Sequence, residues 1–259
     1  MGVRTMVVKL LEMYGDEMAT RVHARSPYGL TALDHAARDG HMDNVRVLVP
    51  IHPSPAAPFS HIHYLSKALI QGIENIEITQ SLIAAGADVN FLLLAAKAAP
   101  NSHDRAIPIF LAIHLSNLPT VRALIDAGAD IHIRDSECHH VLRCCRNIEL
   151  LRFFLERGVD PNNAYPGGST TLHFFCAERG TNDEQFVELL CQFGAAPERA
   201  NGDGKTAVDV AMDCRIPKFV RALEPFVRDP GRKARIAEWL EEQKQQKRLK
   251  PSVEADNLA

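Results

Sequence analysis

One phrase returns along this chain: an apolar run, a glycine, then a short polar ending. It stands as LIAAGADVN (82–90), LIDAGADIH (124–132) and FLERGVDPN (154–162). A chain that repeats itself at such a stride folds by stacking copies of one small unit. No single copy buries its own apolar face, so each needs its neighbours. With glycine as the anchor, Gly86, Gly128, Gly158 and Gly194 follow at intervals of 42, 30 and 36 residues. Gly15 lies 71 residues before Gly86, room for two units with the glycine lost from the middle one.

The residues upstream hold the same register. Four before each glycine stand Leu11, Leu82, Leu124, Phe154 and Leu190; seven before stand Val8, Thr79, Val121, Leu151 and Val187. Side chains at these offsets share one face of an α-helix. The glycine then falls just past the helix end, where a left-handed backbone closes the last turn. A second layout precedes it in GLTALDHAARDGHMDNV (29–45), IPIFLAIHLSNLPTV (107–121), STTLHFFCAERGTNDEQFV (169–187) and GKTAVDVAMDCRIPKFV (204–220). Each has a small or turn residue, an alanine-containing apolar helix, a polar turn and a valine. Thr31, Thr170 and Thr206 are placed to cap those helices. The unit is helix, turn, helix, glycine, exposed loop.

That unit resembles the ankyrin repeat, whose period is about 33 residues. The resemblance rests on LTALDHAARDGHMDNVRVLV, LIAAGADVN, IPIFLAIHLSNLPTVRALIDAGADIHI and STTLHFF, and covers roughly residues 1–223. It implies an all-α solenoid of helix-turn-helix units with projecting loops. We expect a half repeat and loop over 1–28, about five degenerate repeats over 29–223, and a capping helix and tail over 224–259. The departures are specific. The first unit shows only its second helix, 5–15, which leaves Val7, Val8 and Leu11 short of cover. The unit begun at Thr31 ends in PIHPSPAAPF (50–59). The next has no clear Thr-Pro-Leu-His start, which puts its first helix near YLSKALIQ (64–71). FLLLAAKAAPNSHDRA (91–106) lengthens one loop, and the first helix around HHVLRCC (139–145) is short. In GRKARIAEWLEEQKQQKRLK (231–250), Ile236, Trp239 and Leu240 form one narrow apolar stripe. A helix that covers the last repeat is favoured over an interaction tail.

Composition limits the function classes. Hydrophobic residues are 46% and charged residues 24%, with a formal charge of −3, so no bulk charge draws the chain to nucleic acid or an anionic membrane. No apolar run approaches the ~20 residues of a spanning helix. The opening MGVRTM lacks the pattern of a secretory signal. Six cysteines, at 138, 144, 145, 176, 191 and 214, lack framework spacing and read as reduced thiols of the cytosol or nucleus.

Candidate chemistry is thin. Gly-Lys-Thr in NGDGKTAVDV (201–210) precedes a helix but lacks the earlier glycine of a phosphate loop. The recurring glycines follow helix C-termini, whose exposed carbonyls repel phosphate. Cys138, His139, His140, Cys144 and Cys145 form the best metal candidate, yet a tetrahedral site needs four converging ligands and Cys145 points away from His140 and Cys144 on a helix. Structural cysteines are the favoured reading. Asp34 and His35 are neighbours on one helix and diverge by about 100°. His173 stands at the histidine of the ankyrin motif, which the resemblance makes a structural hydrogen-bonding residue; Asp34 and Asp209 replace it elsewhere. KQQKRLK (244–250) reads as a solvated helix face before a nuclear signal.

The resemblance implies a non-catalytic scaffold or adaptor with no cofactor and no metal. Its partner is a protein, held on the concave face and loop tips, with no nucleic acid and no membrane. Arg25, Tyr28, His132, Arg134, Asp135, Asn163, Tyr165, Arg199, Asn201, Asp203 and Lys205 are the expected contact residues, tyrosine and arginine being common hot-spot types. Two alternatives stay open: a regulatory subunit or fragment of a larger ankyrin protein, and a metal protein using Cys138–Cys145.

Overall fold

The computed structural model describes residues 21–51, 59–94, 105–134, 140–177 and 184–249. The half repeat at 5–15, with Val7, Val8 and Leu11, lies outside them, as do Asp135, Cys138 and His139. The described residues form six helix pairs: α1 (Ala32–Arg38) with α2 (Met42–Leu48), α3 (His61–Gln71) with α4 (Ile76–Ala84), α5 (Pro108–His114) with α6 (Leu118–Asp126), α7 (Val141–Cys144) with α8 (Ile148–Glu156), α9 (Thr171–Ala177) with α10 (Glu184–Gln192), and α11 (Ala207–Asp213) with α12 (Pro217–Leu223). A short 3-10 turn, Glu224–Phe226, leads to α13 (Pro230–Leu249). Between α4 and α5 lies a two-residue antiparallel pair, β1 (Leu93–Leu94) and β2 (Arg105–Ala106), in the register Leu93 to Ala106. The class is all-α, consistent with a repeat solenoid.

Two compact units divide the chain, Met1–Leu150 and Leu151–Ala259. In the first, α1, α3, α5 and α7 pack in succession, and α2, α4 and α6 pack beside them. In the second, α9 packs on α11 and α10 on α12. First helices therefore stack on first helices and second on second. The cores follow the helical register: Ile78, Leu82, Val121 and Leu124 are fully buried in the first unit, Val187, Leu190, Val220 and Leu223 in the second.

The recurring glycine does what its position asks. Gly86, Gly128, Gly158 and Gly194 all have φ between 80° and 93°. At each, the glycine N–H and the next N–H turn back to the last helical turn, as in Gly86 to Ile83 and Ala87 to Leu82. The first helices end the same way at Gly40, Ser116 and Arg215, with φ of 76°, 53° and 56°. Only one of these three is glycine. A side chain in the left-handed region costs about 1–2 kcal/mol. We expect Ser116→Gly and Arg215→Gly each to stabilise the protein by about 0.5–1 kcal/mol, after the extra entropy of glycine in the unfolded chain is subtracted. A urea midpoint that falls in either variant contradicts this.

Helix α3 is the longest of the first helices, as α7 is the shortest. It has 11 residues where α1, α5, α9 and α11 have 7. The turns that follow α1, α3 and α5 differ by at most one residue, so the additional turn is added at the start. Ser60 caps it, its Oγ accepting from the His63 N–H at 3.2 Å. The helix therefore begins three residues earlier than the motif suggests. At the other end, α13 packs against α12 and buries Ile236 and Leu240, with Trp239 half-buried. Arg232 and Arg235 reach Asp209 of α11 at 3.5 and 3.3 Å.

Candidate functional site

Three first helices, α1, α9 and α11, start from the same problem, a Thr N–H to be satisfied, and three side chains solve it. In α1 and α11 the residue three after the threonine is aspartate. The Thr31 N–H donates to Asp34 Oδ2 at 2.7 Å and the Asp34 N–H to Thr31 Oγ1 at 3.2 Å. Thr206 and Asp209 repeat this box at 3.0 and 3.2 Å. In α9 the acceptor is an imidazole: the Thr170 N–H donates to His173 Nδ1 at 3.1 Å, and Nε2 lies 3.2 Å from the Lys205 carbonyl oxygen. That contact makes Nε2 the protonated nitrogen and ties one repeat to the next. In α1 the link is inverted. Lys67 of α3 reaches back to Asp34 Oδ2 at 3.1 Å and donates to the Gly29 carbonyl. His35 turns elsewhere, its Nδ1 lying 3.0 Å from Arg38.

These assignments set the charge states. Burial lowers the His173 pKa below its usual value, against two backbone hydrogen bonds that raise it. Burial alone would raise the Asp209 carboxyl; the Thr206 hydrogen bonds and the Arg235 and Arg232 charges outweigh it and hold Asp209 below the ordinary carboxylate range. The linkage sign for His173 follows. The unfolded chain takes up this proton near pH 6.5 and the folded chain only at lower pH. Stability is therefore full above that value and falls as pH drops toward the folded pKa. His63, whose pKa is lowered first by burial and then by Arg25 and Lys67, acts in the same direction. Urea midpoints taken from about pH 7.5 down to about pH 5.5 should fall, and fall less steeply in His173→Gln. A midpoint that rises over this range would refute the assignment.

The loop tips carry their own repeated frame. In the first unit, Asp88 Oδ1 accepts from the Asn90 N–H, and the Asn90 carboxamide bridges onward, donating to the Gly128 carbonyl at 3.0 Å and accepting from the Asp130 N–H at 2.8 Å. In the second unit, Asp160 and Asn162 repeat this toward Gly194 and Ala196 at 2.8 and 2.9 Å. The conserved part of each phrase within this chain is therefore scaffold.

The expected contact residues sort accordingly. In the first unit Arg25, Tyr28, His132 and Arg134 are exposed, Tyr28 by 88%. In the second unit Arg199, Asp203 and Lys205 are exposed and Asn163 is half-buried. Arg199 also donates to the Asn162 carbonyl at 2.8 Å. Lys205 pairs with Asp213 at 2.7 Å, which raises its pKa. Tyr165 needs correcting. It is 5% exposed, its hydroxyl lies 3.0 Å from Thr171 Oγ1, and its ring meets Phe174 edge-on at 4.9 Å. A tight turn, with the Tyr165 N–H on the Ser169 carbonyl and the Gly168 N–H on the Tyr165 carbonyl, swings the ring inward. Asn201 is a frame residue too, its Oδ1 accepting from the Asp203 and Lys205 N–H groups and its Nδ2 donating to Ser169 Oγ.

Around the cysteine cluster, His140, Cys144 and Cys145 are buried, and the Cys145 thiol donates to the Val141 carbonyl at 3.2 Å. Burial pushes the Cys145 pKa up, as it does for Cys176 and Cys191. Such thiols are poor nucleophiles. Among the described residues no group of three or more His, Cys, Asp and Glu is arranged to hold a metal ion. No helix of the described residues is long and apolar enough to cross a membrane.

Stacked helix pairs with capped first helices, left-handed glycine ends and cross-bonded tips define a helical repeat protein of the kind that presents a surface. The family model of the ankyrin repeat matches residues 104–136, the segment of β2, α5, α6 and the tip that follows. The match and the recurrence of the same caps along the chain are consistent with an ankyrin-repeat protein. Ankyrin repeats are, in general, protein-interaction modules. No curated protein matches the chain.

Proposed function

We propose that this chain is a non-catalytic scaffold or adaptor of the cytosol or nucleus, and that it holds a protein partner through the exposed faces of its first helices and its loop tips. The observation that carries this reading is the division of labour at the tips. The residues that recur from tip to tip, Gly, Asp and Asn, are bonded into the frame, while Tyr28, His132 and Asp203 stand in solvent and Arg199, though bonded to Asn162, is exposed. Three of the groups able to do acid–base work are engaged in structure: Asp34 with Lys67, Asp209 with two arginines, His173 between Thr170 and Lys205. The exposed side chains of the tips give a partner hydrogen-bonding groups on a pre-formed frame.

A photo-crosslinking amino acid placed at Tyr28 or His132, both in the first unit, tests this. In native extract the two positions should capture one shared protein species. A third position on an exposed second-helix face of that unit, Arg122, should not. Equal capture from all three positions, or none from the tips, would count against the reading.

A further inference from the structure

The added first turn of α3 lifts an apolar surface beside the first tips. Ile62 is 55% exposed, Phe59 37% and Leu92 39%, large apolar side chains at the start of α3 and in the tip after α4. Ring contacts order Phe59. Phe59 stacks on His63 with centroids 4.1 Å apart and planes 13° apart, and Phe91, next to Leu92, meets His63 edge-on at 5.2 Å. Arg25 lies over the outer face of Phe59 at 4.3 Å. Ordered, exposed apolar side chains rimmed by a polar group mark an interaction surface more often than a solvated one.

The local charge narrows the partner. Among the described residues no carboxylate is paired with Arg25, while the nearby Asp34 is buried and held by Lys67. Burial, then Arg25 and Lys67, lower the His63 pKa, and Asp34 acts against them. A partner carboxylate set over Arg25 would gain an ion pair that no residue of this patch supplies. Complementary charge of this kind fixes partner choice and approach more than bulk affinity. An arginine already held over a ring loses less freedom on binding, and arginine is a frequent hot-spot residue.

We propose that the patch of Arg25, Phe59, Ile62, His63 and Leu92 binds an extended segment of a protein partner in which one large apolar side chain is flanked by aspartate or glutamate. The apolar side chain seats against Ile62 and Phe59, and a flanking carboxylate meets the Arg25 guanidinium. This rests on the interaction reading above and assigns that reading a surface and a partner chemistry.

The test uses the full chain and a random dodecamer display library. Selected peptides should share a Leu, Ile, Phe or Met with an acidic residue within two positions. Synthesised and labelled, they should bind at least tenfold more weakly to Ile62→Glu and to Arg25→Glu, both changes being at exposed positions that leave the fold intact. Raising salt should weaken binding to the parent more than to Arg25→Glu. Selected peptides that lack acidic residues, or that bind both variants as well as the parent, overturn the proposal. If those peptides instead lose binding in Arg134→Glu or Arg199→Glu, the interaction reading stands and this patch is not its site. If the library yields no binder to any surface, both fall. If sedimentation shows a dimer that Ile62→Glu dissociates, the patch is a contact between copies of this chain and the proposal is again overturned.

Discussion

Asp34→Ala should lower the free energy of unfolding by about 3–5 kcal/mol, the cost of leaving a buried charge without its partner. Lys67 is 8% exposed as a residue, and its ammonium has two acceptors, Asp34 and the Gly29 carbonyl. Removing the carboxylate leaves only the neutral one. The same change breaks the capping box at Thr31, a further loss of about 0.5–2 kcal/mol. Adding Lys67→Met removes the stranded cation and should recover most of the ion-pair loss, leaving the capping loss in place. Urea unfolding gives the total, and hydrogen exchange of α1 and α3 amides shows whether the damage is local, since repeat arrays open in parts. A single variant within about 1 kcal/mol of the parent, or a double variant no better than the single, would show that the pair does not carry this load.

Tyr165→Ala should cost about 3–5 kcal/mol, the range for emptying a buried aromatic position. The ring is closed in by Phe174 and by its own turn, and its hydroxyl has Thr171 as partner. Tyr165→Phe should cost only about 1 kcal/mol, the net value of that hydrogen bond. It should leave partner affinity untouched when measured below the unfolding transition. A Tyr165→Ala variant as stable as the parent would mean the side chain is not buried in solution. A Tyr165→Phe variant that folds normally but loses its partner would return Tyr165 to the contact surface.

The sequence made the second helices and their glycine ends legible, because one residue type at one offset answers one backbone demand. The φ values at Gly86, Gly128, Gly158 and Gly194 follow from that demand. The threonine caps were legible for the same reason, each being a local bond between residues three apart. Ser60 carries that signal as well, but it stands outside the motif register, so the repeat pattern contains neither the added turn of α3 nor the exposed Ile62. The pairing of Asp34 with Lys67 spans 33 residues of chain and depends on how α3 stacks on α1. No local pattern contains it. Tyr165 differs for a related reason. Its place at a loop tip and its residue type point to solvent, while the turn through Gly167 and Gly168 directs the ring inward. Loop position and side-chain direction are separate properties, and only the second is set by backbone geometry.

One close approach limits how this surface can diverge. The Gly202 N–H meets the Gly167 carbonyl at 2.7 Å, and a Cβ built on Gly202 would stand 2.7 Å from that same oxygen. A Cβ on Gly168 would stand 3.0 Å from the Gly202 nitrogen. These neighbouring loops are in backbone contact, with no room for side chains between them. Gly29, beside Tyr28, has open space around it but a φ of 74°, so it too resists a side chain. Tyr28 itself is 88% exposed, so drift or a designed library can explore new specificities at that position, whereas the loops at 167–168 and 202 leave no room for side chains between them. Descendants of this protein that change partners should record the change in the first unit's tips and keep those glycines.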